Sequence, residues 1–170
     1  MSPILRIAAP AAALVGAAGP VAAPVGAGAV PGGATLCTAA ERPVFSCPIG
    51  AKTVSICAAR RGAAVLAYRF GRPGRVELAQ RGGLSLAERG YSGGGETQLS
   101  FARNGYRYVV YDRTVRTGLA ADGRNEPAFD QGLVVVRGGR VVSHRRCSAE
   151  SGGMDGRAVA RLPRGTFVEH

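Results

Sequence analysis

Four cysteines carry the most legible chemistry in this chain: Cys37, Cys47, Cys57 and Cys147. Thiols can pair as disulfides, ligate a metal or exchange electrons, and spacing separates these uses. Zinc sites set neighbouring thiolates only a few residues apart, and redox motifs set them two residues apart. Here nine residues separate Cys37 from Cys47, and nine separate Cys47 from Cys57. Two structural disulfides are the expectation, with no metal and no other cofactor. Three connectivities are open. A bond from Cys47 or Cys57 to Cys147 would clasp the first strands to the last, and the remaining pair would lie in the N-terminal segment.

A second set could make a nucleophile. Gly90-Tyr91-Ser92-Gly93-Gly94 matches G-x-S-x-G, and Asp112, Asp122, Asp130 and His144 follow in the order Ser, Asp, His. That motif works where a strand turns sharply into a helix and lifts the serine above a parallel sheet. Here Gly95 and an expected strand from Glu96 follow, and no strand–helix alternation surrounds it. The plainer expectation is a flexible glycine loop entering a strand. Ser92, Gly93 and Gly94 are then candidate binding residues, because bare backbone admits a ligand closely. His144 is expected to be a packed or half-exposed strand residue, and His170 ends the sequence. No His, Asp or Glu set has metal-ligand spacing, and the sequence leaves open whether two of Glu77, Glu88 and Glu96 meet as a carboxylate pair for glycoside cleavage. Tyr106, Tyr108 and Tyr111 stand beside Arg103, Arg107 and Arg113. Tyrosine and arginine dominate binding hot spots, so Tyr106, Arg107 and Tyr108 are a candidate binding surface. The alternative is that the tyrosines simply cap the core.

Strands must position these residues. Asn104-Gly105 favours a type I′ hairpin turn. Centring a hairpin there pairs Phe101 with Tyr108 and Leu99 with Val110, and the apolar alternation on both strands agrees with that register. Gly138-Gly139 predicts a second hairpin, pairing Val136 with Val141 and Leu133 with His144. A third joins Val44–Cys47 to Thr53–Ala58 across Gly50-Ala51. A fourth turn, Gly71 to Gly74, lies between Val65–Phe70 and Arg75–Ala79. Arg113 to Asp130 reads as a loop with at most one helical turn. Short strands and tight turns predict an all-β fold, a small antiparallel barrel or sandwich stapled by disulfides.

The leader sets the compartment. Arg6 precedes an Ala/Gly-rich apolar stretch, and Ala27-Gly28-Ala29 offers small residues for signal peptidase. Cleavage after Ala29 is expected, with Ala27 and Ala34 as alternative positions. A spanning helix wants roughly 20 strongly apolar residues, whereas this stretch is interrupted by Pro10, Pro20 and Pro24. The organisation read from the chain is a cleaved signal over 1–29, a linker over 30–35 and a β domain over 36–148. A tail over 149–170 follows, its apolar end docked as a short strand or left free. Periplasmic or secreted localisation follows, with no integral span after cleavage.

Net charge is +11 over 170 residues, and Lys52 is the only lysine. Arginine, alanine and glycine are abundant together, as G+C-rich codons would dictate. The arginines are spread along the chain, and no nucleic-acid recognition pattern accompanies them. No nucleic-acid partner is expected; the partner is a protein or an envelope component of unassigned identity.

Several segments together carry a resemblance. They are Phe45-Ser46-Cys47-Pro48, Lys52 to Ala58, Tyr68-Arg69-Phe70-Gly71, Asn104 to Tyr111 and Cys147. The chain resembles a family of small exported bacterial proteins with a Phe-Ser-Cys opening, a Tyr-Arg-Phe-Gly segment and a late cysteine. The resemblance spans most of Cys37 to Cys147 and implies export, with no assigned activity. In layout alone the chain is also similar to the small β-barrel inhibitors of c-type lysozyme, with Ser92-Gly93 at their Ser-Gly segment. The residues that flank that segment in the inhibitors are not reproduced. A strongly basic lysozyme would also repel a basic partner. The expected function is a non-enzymatic exported binding domain. An inhibitor of a cell-wall hydrolase and a small serine hydrolase using Ser92 are the alternatives.

Overall fold

Tight turns generate the whole architecture. The computed structural model describes residues 35–61, 65–148 and 151–170. The expected signal peptide and most of the linker lie outside the described residues. Four strands form one antiparallel sheet: β1 (Glu41–Ile49), β2 (Lys52–Ala59), β3 (Leu66–Arg72) and β4 (Arg75–Arg81). Five form a second: β5 (Ser85–Tyr91), β6 (Gly94–Arg103), β7 (Tyr106–Leu119), β8 (Asn125–Arg137) and β9 (Arg140–Arg146). Within each sheet every strand pairs with its neighbour in sequence, so no crossover is needed. The one helix among the described residues is a single turn, α1 (Gly156–Val159), capped by the Asp155 carboxylate. No described helix is long and apolar enough to cross a membrane.

The turn chemistry fits the positions. Asn104 and Gly105 take φ of 51° and 76°, and Gly138 and Gly139 take 56° and 76°. Two successive positive φ values are what a type I′ turn requires. Phe101 pairs with Tyr108 and Leu99 with Val110, as the turn-centred register predicts. A slip of one residue would turn Leu99 and Val110 out of the core. Each buries a side chain worth about 1.5–3 kcal/mol, so the register is strongly held.

Both sheets contribute to one core. Val44, Val54, Ile56 and Tyr68 from the first meet Leu86, Leu99, Phe101, Val110 and Leu133 from the second. Among the described residues the sheets remain two open ones, with no closed barrel. Cys47–Cys147 ties β1 to the residue after β9, and Cys37–Cys57 pins the N-terminal segment to β2. All four cysteines are paired, in the arrangement that clasps the chain's first and last strands. A second, smaller cluster of Val109, Tyr111 and Val134 lies on the opposite face of the five-stranded sheet, covered by Val168.

Three sequence expectations need correction. Arg113 to Asp130 is no loop: β7 and β8 continue through it and turn only between them. Its polar composition hid the strands, because beyond Thr114 β7 is paired with β8 alone. Pro127 is tolerated there because β9 ends opposite Gly132, leaving that part of β8 an edge. The glycine-rich loop before Glu96 is also a hairpin, with β5 pairing Tyr91 to Gly94. Finally, His144 faces Val134, and Leu133 faces Arg145. Val136 pairs with Val141 but Val135 pairs with Ser143, so Val142 is an extra, bulged residue. The bulge flips all residues beyond it to the other face.

The tail, expected to dock as a short strand or stay free, makes one bridge among the described residues. Arg164 lies parallel to Leu86, with Leu86 N donating to Pro163 O and Gly165 N to Leu86 O.

Candidate functional site

The structure disperses the residues of the hydrolase alternative. Ser92 and Gly93 form the exposed β5–β6 turn, with Gly93 at φ +83°. The glycines there serve the chain's own packing. A Cβ on Gly94 would sit 2.0 Å from the Thr114 carbonyl oxygen, and one on Gly93 would sit 2.8 Å from the Arg116 Cβ. Asp112 accepts from the Gln131 side chain at 2.8 Å and from Met154 N at 2.7 Å. Asp122 lies in the exposed turn between β7 and β8, bonded to Arg124. Asp130 and His144 both address the Tyr111 hydroxyl, at 3.0 and 2.9 Å. Among the described residues no hydrogen bond joins Ser92 to His144 or to an aspartate.

The aromatic set is divided by strand alternation. Tyr108 stacks on Phe101 at 5.0 Å between ring centroids and packs against the main core. Tyr106 takes a hydrogen bond from Arg137 Nη1 at 3.1 Å and has that guanidinium over its ring. Arg107 points to the other face, where it donates to Ser100 Oγ at 3.4 Å. Tyr111, expected beside them, is fully buried on that opposite face.

There Tyr111 organises a polar seam that is buried at Glu96, Gln98 and Tyr111 and exposed at His144. The tail lays His170 beside Tyr111 and His144, with ring centroids 4.3 and 4.9 Å apart. His170 Nε2 lies 2.9 Å from Glu96 Oε1, and both side chains are 2% exposed. Gln98 fastens the tail by donating to Val168 O at 2.8 Å and accepting from Val168 N at 2.9 Å. Arg113 holds Asp130. Burial foremost, then the nearby His170, depresses the His144 pKa below its ordinary 6.5, so the neutral ring is favoured. Burial foremost, with Asp130, pushes the Tyr111 phenol up. The hydroxyl thus stays protonated and donates to Asp130. Toward solvent, Arg113 and Asp130 line a cavity of about 420 Å³ together with Gln131 and Arg146. Extending the Asn104-Gly105 register would have placed Gln98 opposite Tyr111 and Glu96 opposite Arg113. Nothing local marked His170 as their neighbour. Among the described residues no group of three or more His, Cys, Asp or Glu is arranged to hold a metal ion.

Charge separates what remains. Most described carboxylates are spent inside the protein. Glu41 holds Arg69, Glu77 holds Lys52, Glu88 holds Arg164, Asp155 holds Arg42 and Glu169 holds Arg89. The cations outnumber them, with Lys and Arg totalling 22 against 11 for Asp and Glu. Arg60, Arg61, Arg81, Arg140 and Arg145 are exposed and take no part in those pairs. No family model matches the chain, and neither the curated proteins nor the solved structures contain a match.

Proposed function

We propose that this protein is an exported, non-enzymatic β-sandwich domain that binds an anionic component of the cell envelope. One observation carries the reading: most described carboxylates are paired within the chain while arginines remain exposed. Such a surface attracts polyanions and repels basic partners. Arginine also grips carboxylate and phosphate oxygens bidentately, which suits recognition as well as attraction. The two disulfides are compatible with an oxidising compartment, and the resemblance to small exported bacterial proteins points the same way. The hydrolase alternative draws no support from a serine remote from its base. The lysozyme-inhibitor alternative draws none from a turn whose glycines accommodate the chain itself.

The test is retention of the folded, oxidised protein on immobilised heparin, a sulfate- and carboxylate-bearing polyanion, at 50 and 300 mM salt. Retention should weaken steeply with salt. Failure to bind at low salt would sink the reading. Labelling by a serine-reactive phosphonate that Ser92→Ala abolishes would replace it with the hydrolase. Salt-resistant inhibition of a c-type lysozyme would replace it with the inhibitor.

A further inference from the structure

The exposed arginines are not evenly placed. A cavity of about 650 Å³ opens where the start of β1, the end of β2, the start of β3 and the end of β4 meet. Arg60, Arg61, Arg69 and Arg81 line it, and Glu41 is its sole acid. Glu41 is already committed. Its two oxygens take Arg69 Nη1 at 2.6 Å and Arg69 Nη2 at 2.9 Å, and Oε2 also accepts from Thr38 N and Oγ1. That pair is neutral as a unit and holds the Arg69 guanidinium in one orientation. Arg60, Arg61 and Arg81 carry no carboxylate partner among the described residues, so the cavity keeps a charge of about +3.

One side of the cavity is anchored. Arg60 N donates to Ala40 O, and Arg60 Nε donates to Ala39 O, so the turn before β1 is tied to the end of β2. Cys37–Cys57 pins the segment that leads into that turn. Arg81 lies opposite Ala67 on β3. Ala40, Ala59 and Val65 supply an apolar lining beside the guanidiniums.

We propose that this cavity is a binding site for a phosphate monoester. Three uncompensated guanidiniums around one cavity repel one another until an anion enters, and a dianion answers their charge better than a lone carboxylate does. The guanidinium fork matches phosphate oxygens two at a time. The volume lies within the range of about 300–1,000 Å³ typical of small-ligand sites. It suits a phosphorylated small molecule or a phosphorylated headgroup, and not a long polymer. The proposal rests on the reading of the protein as an anion binder and gives that reading a location and a ligand chemistry.

The experiment titrates the oxidised full chain calorimetrically with inorganic phosphate and with glycerol 3-phosphate, chloride holding ionic strength constant. Saturable one-to-one binding is expected. The double variant Arg60→Gln/Arg81→Gln should weaken it at least tenfold, and Arg140→Gln/Arg145→Gln, on β9, less than twofold. Arg81→Lys, which keeps the charge and loses the fork, should fall between. Circular dichroism and thermal unfolding confirm that each variant is folded. Absence of saturable binding, or equal losses in both double variants, overturns the site. If heparin retention survives that failure, the anion-binding reading stands without this site; if both fail, both fall. Vesicles containing phosphatidic acid distinguish the source. Binding to them that depends on Arg60 and Arg81 and exceeds that of glycerol 3-phosphate assigns a lipid headgroup. The reverse order assigns a soluble phosphate ester, and either supports the site.

Discussion

Two side chains show opposite ways of burying a polar group. Glu41 is held well below the usual carboxylate range, at about 2, first by the hydrogen bonds from Arg69 and then, against burial, by Thr38. A depressed carboxylate pKa stabilises the fold above its unfolded value of 4.5, and the contribution disappears as pH falls through about 2. Glu41→Gln should therefore cost on the order of 2–3 kcal/mol at pH 7 and little at pH 2, read by urea unfolding at the two pH values. An equal cost at both would mean that the ion pair is not its source. Tyr68 is the contrary case. Its ring packs 4.8 Å from Phe101 in the core, yet its hydroxyl has no hydrogen-bond partner among the described residues. An unmade buried hydrogen bond is costly. Tyr68→Phe should raise stability by about 1 kcal/mol, and a lowered melting temperature would contradict this. Neither role was readable from residue type. The Arg69 partner of Glu41 lies two strands away, and Tyr68 looks like any aromatic in a strand.

At the scale of elements, legibility followed turn chemistry. Asn104-Gly105 fixed the register of β6 and β7, and Gly50-Ala51 and Pro73-Gly74 marked two more hairpins. Failures came where a local rule had no local signal. The Val142 bulge leaves no mark in an apolar run, yet it decides which face His144 occupies. The outer part of β7 and β8 is polar because it packs on little, so alternation could not announce it. The polar seam draws on β6, β7, β8, β9 and the tail, and no spacing rule unites segments so distant. The two disulfides act on elements in measurable proportion. Closing a loop of 20 residues stabilises by about 3.3 kcal/mol in the chain-entropy model, and one of 100 residues by about 4.7. Cys47→Ala/Cys147→Ala should thus be the more damaging pair by about 1.4 kcal/mol, measured by chemical denaturation. The reverse ranking would show that local anchoring of the N-terminal segment outweighs loop closure.

For the molecule as a whole, charge balance and chain order matter most. Exposed ion pairs such as Arg164–Glu88 contribute little, whereas a net charge of +11 acts across the entire surface. Raising sodium chloride from 20 to 500 mM should therefore raise the melting temperature, since screening relieves more repulsion than it weakens attraction. A fall would place the balance with the ion pairs. Chain order enters through the cysteines. Cys37 reaches past Cys47 to Cys57, and Cys47 reaches past Cys57 to Cys147, so the two bonds interleave. A chain oxidised as it emerges from its N-terminus presents Cys37 and Cys47 together long before Cys147 exists. Bonding thiols in order of appearance joins the wrong two, and only exchange of that bond for another releases them. Oxidative refolding of the reduced chain should therefore regain the observed pairing faster in a thiol–disulfide redox buffer than with an oxidant alone, and equal rates would show that the first-formed bonds are already the native ones.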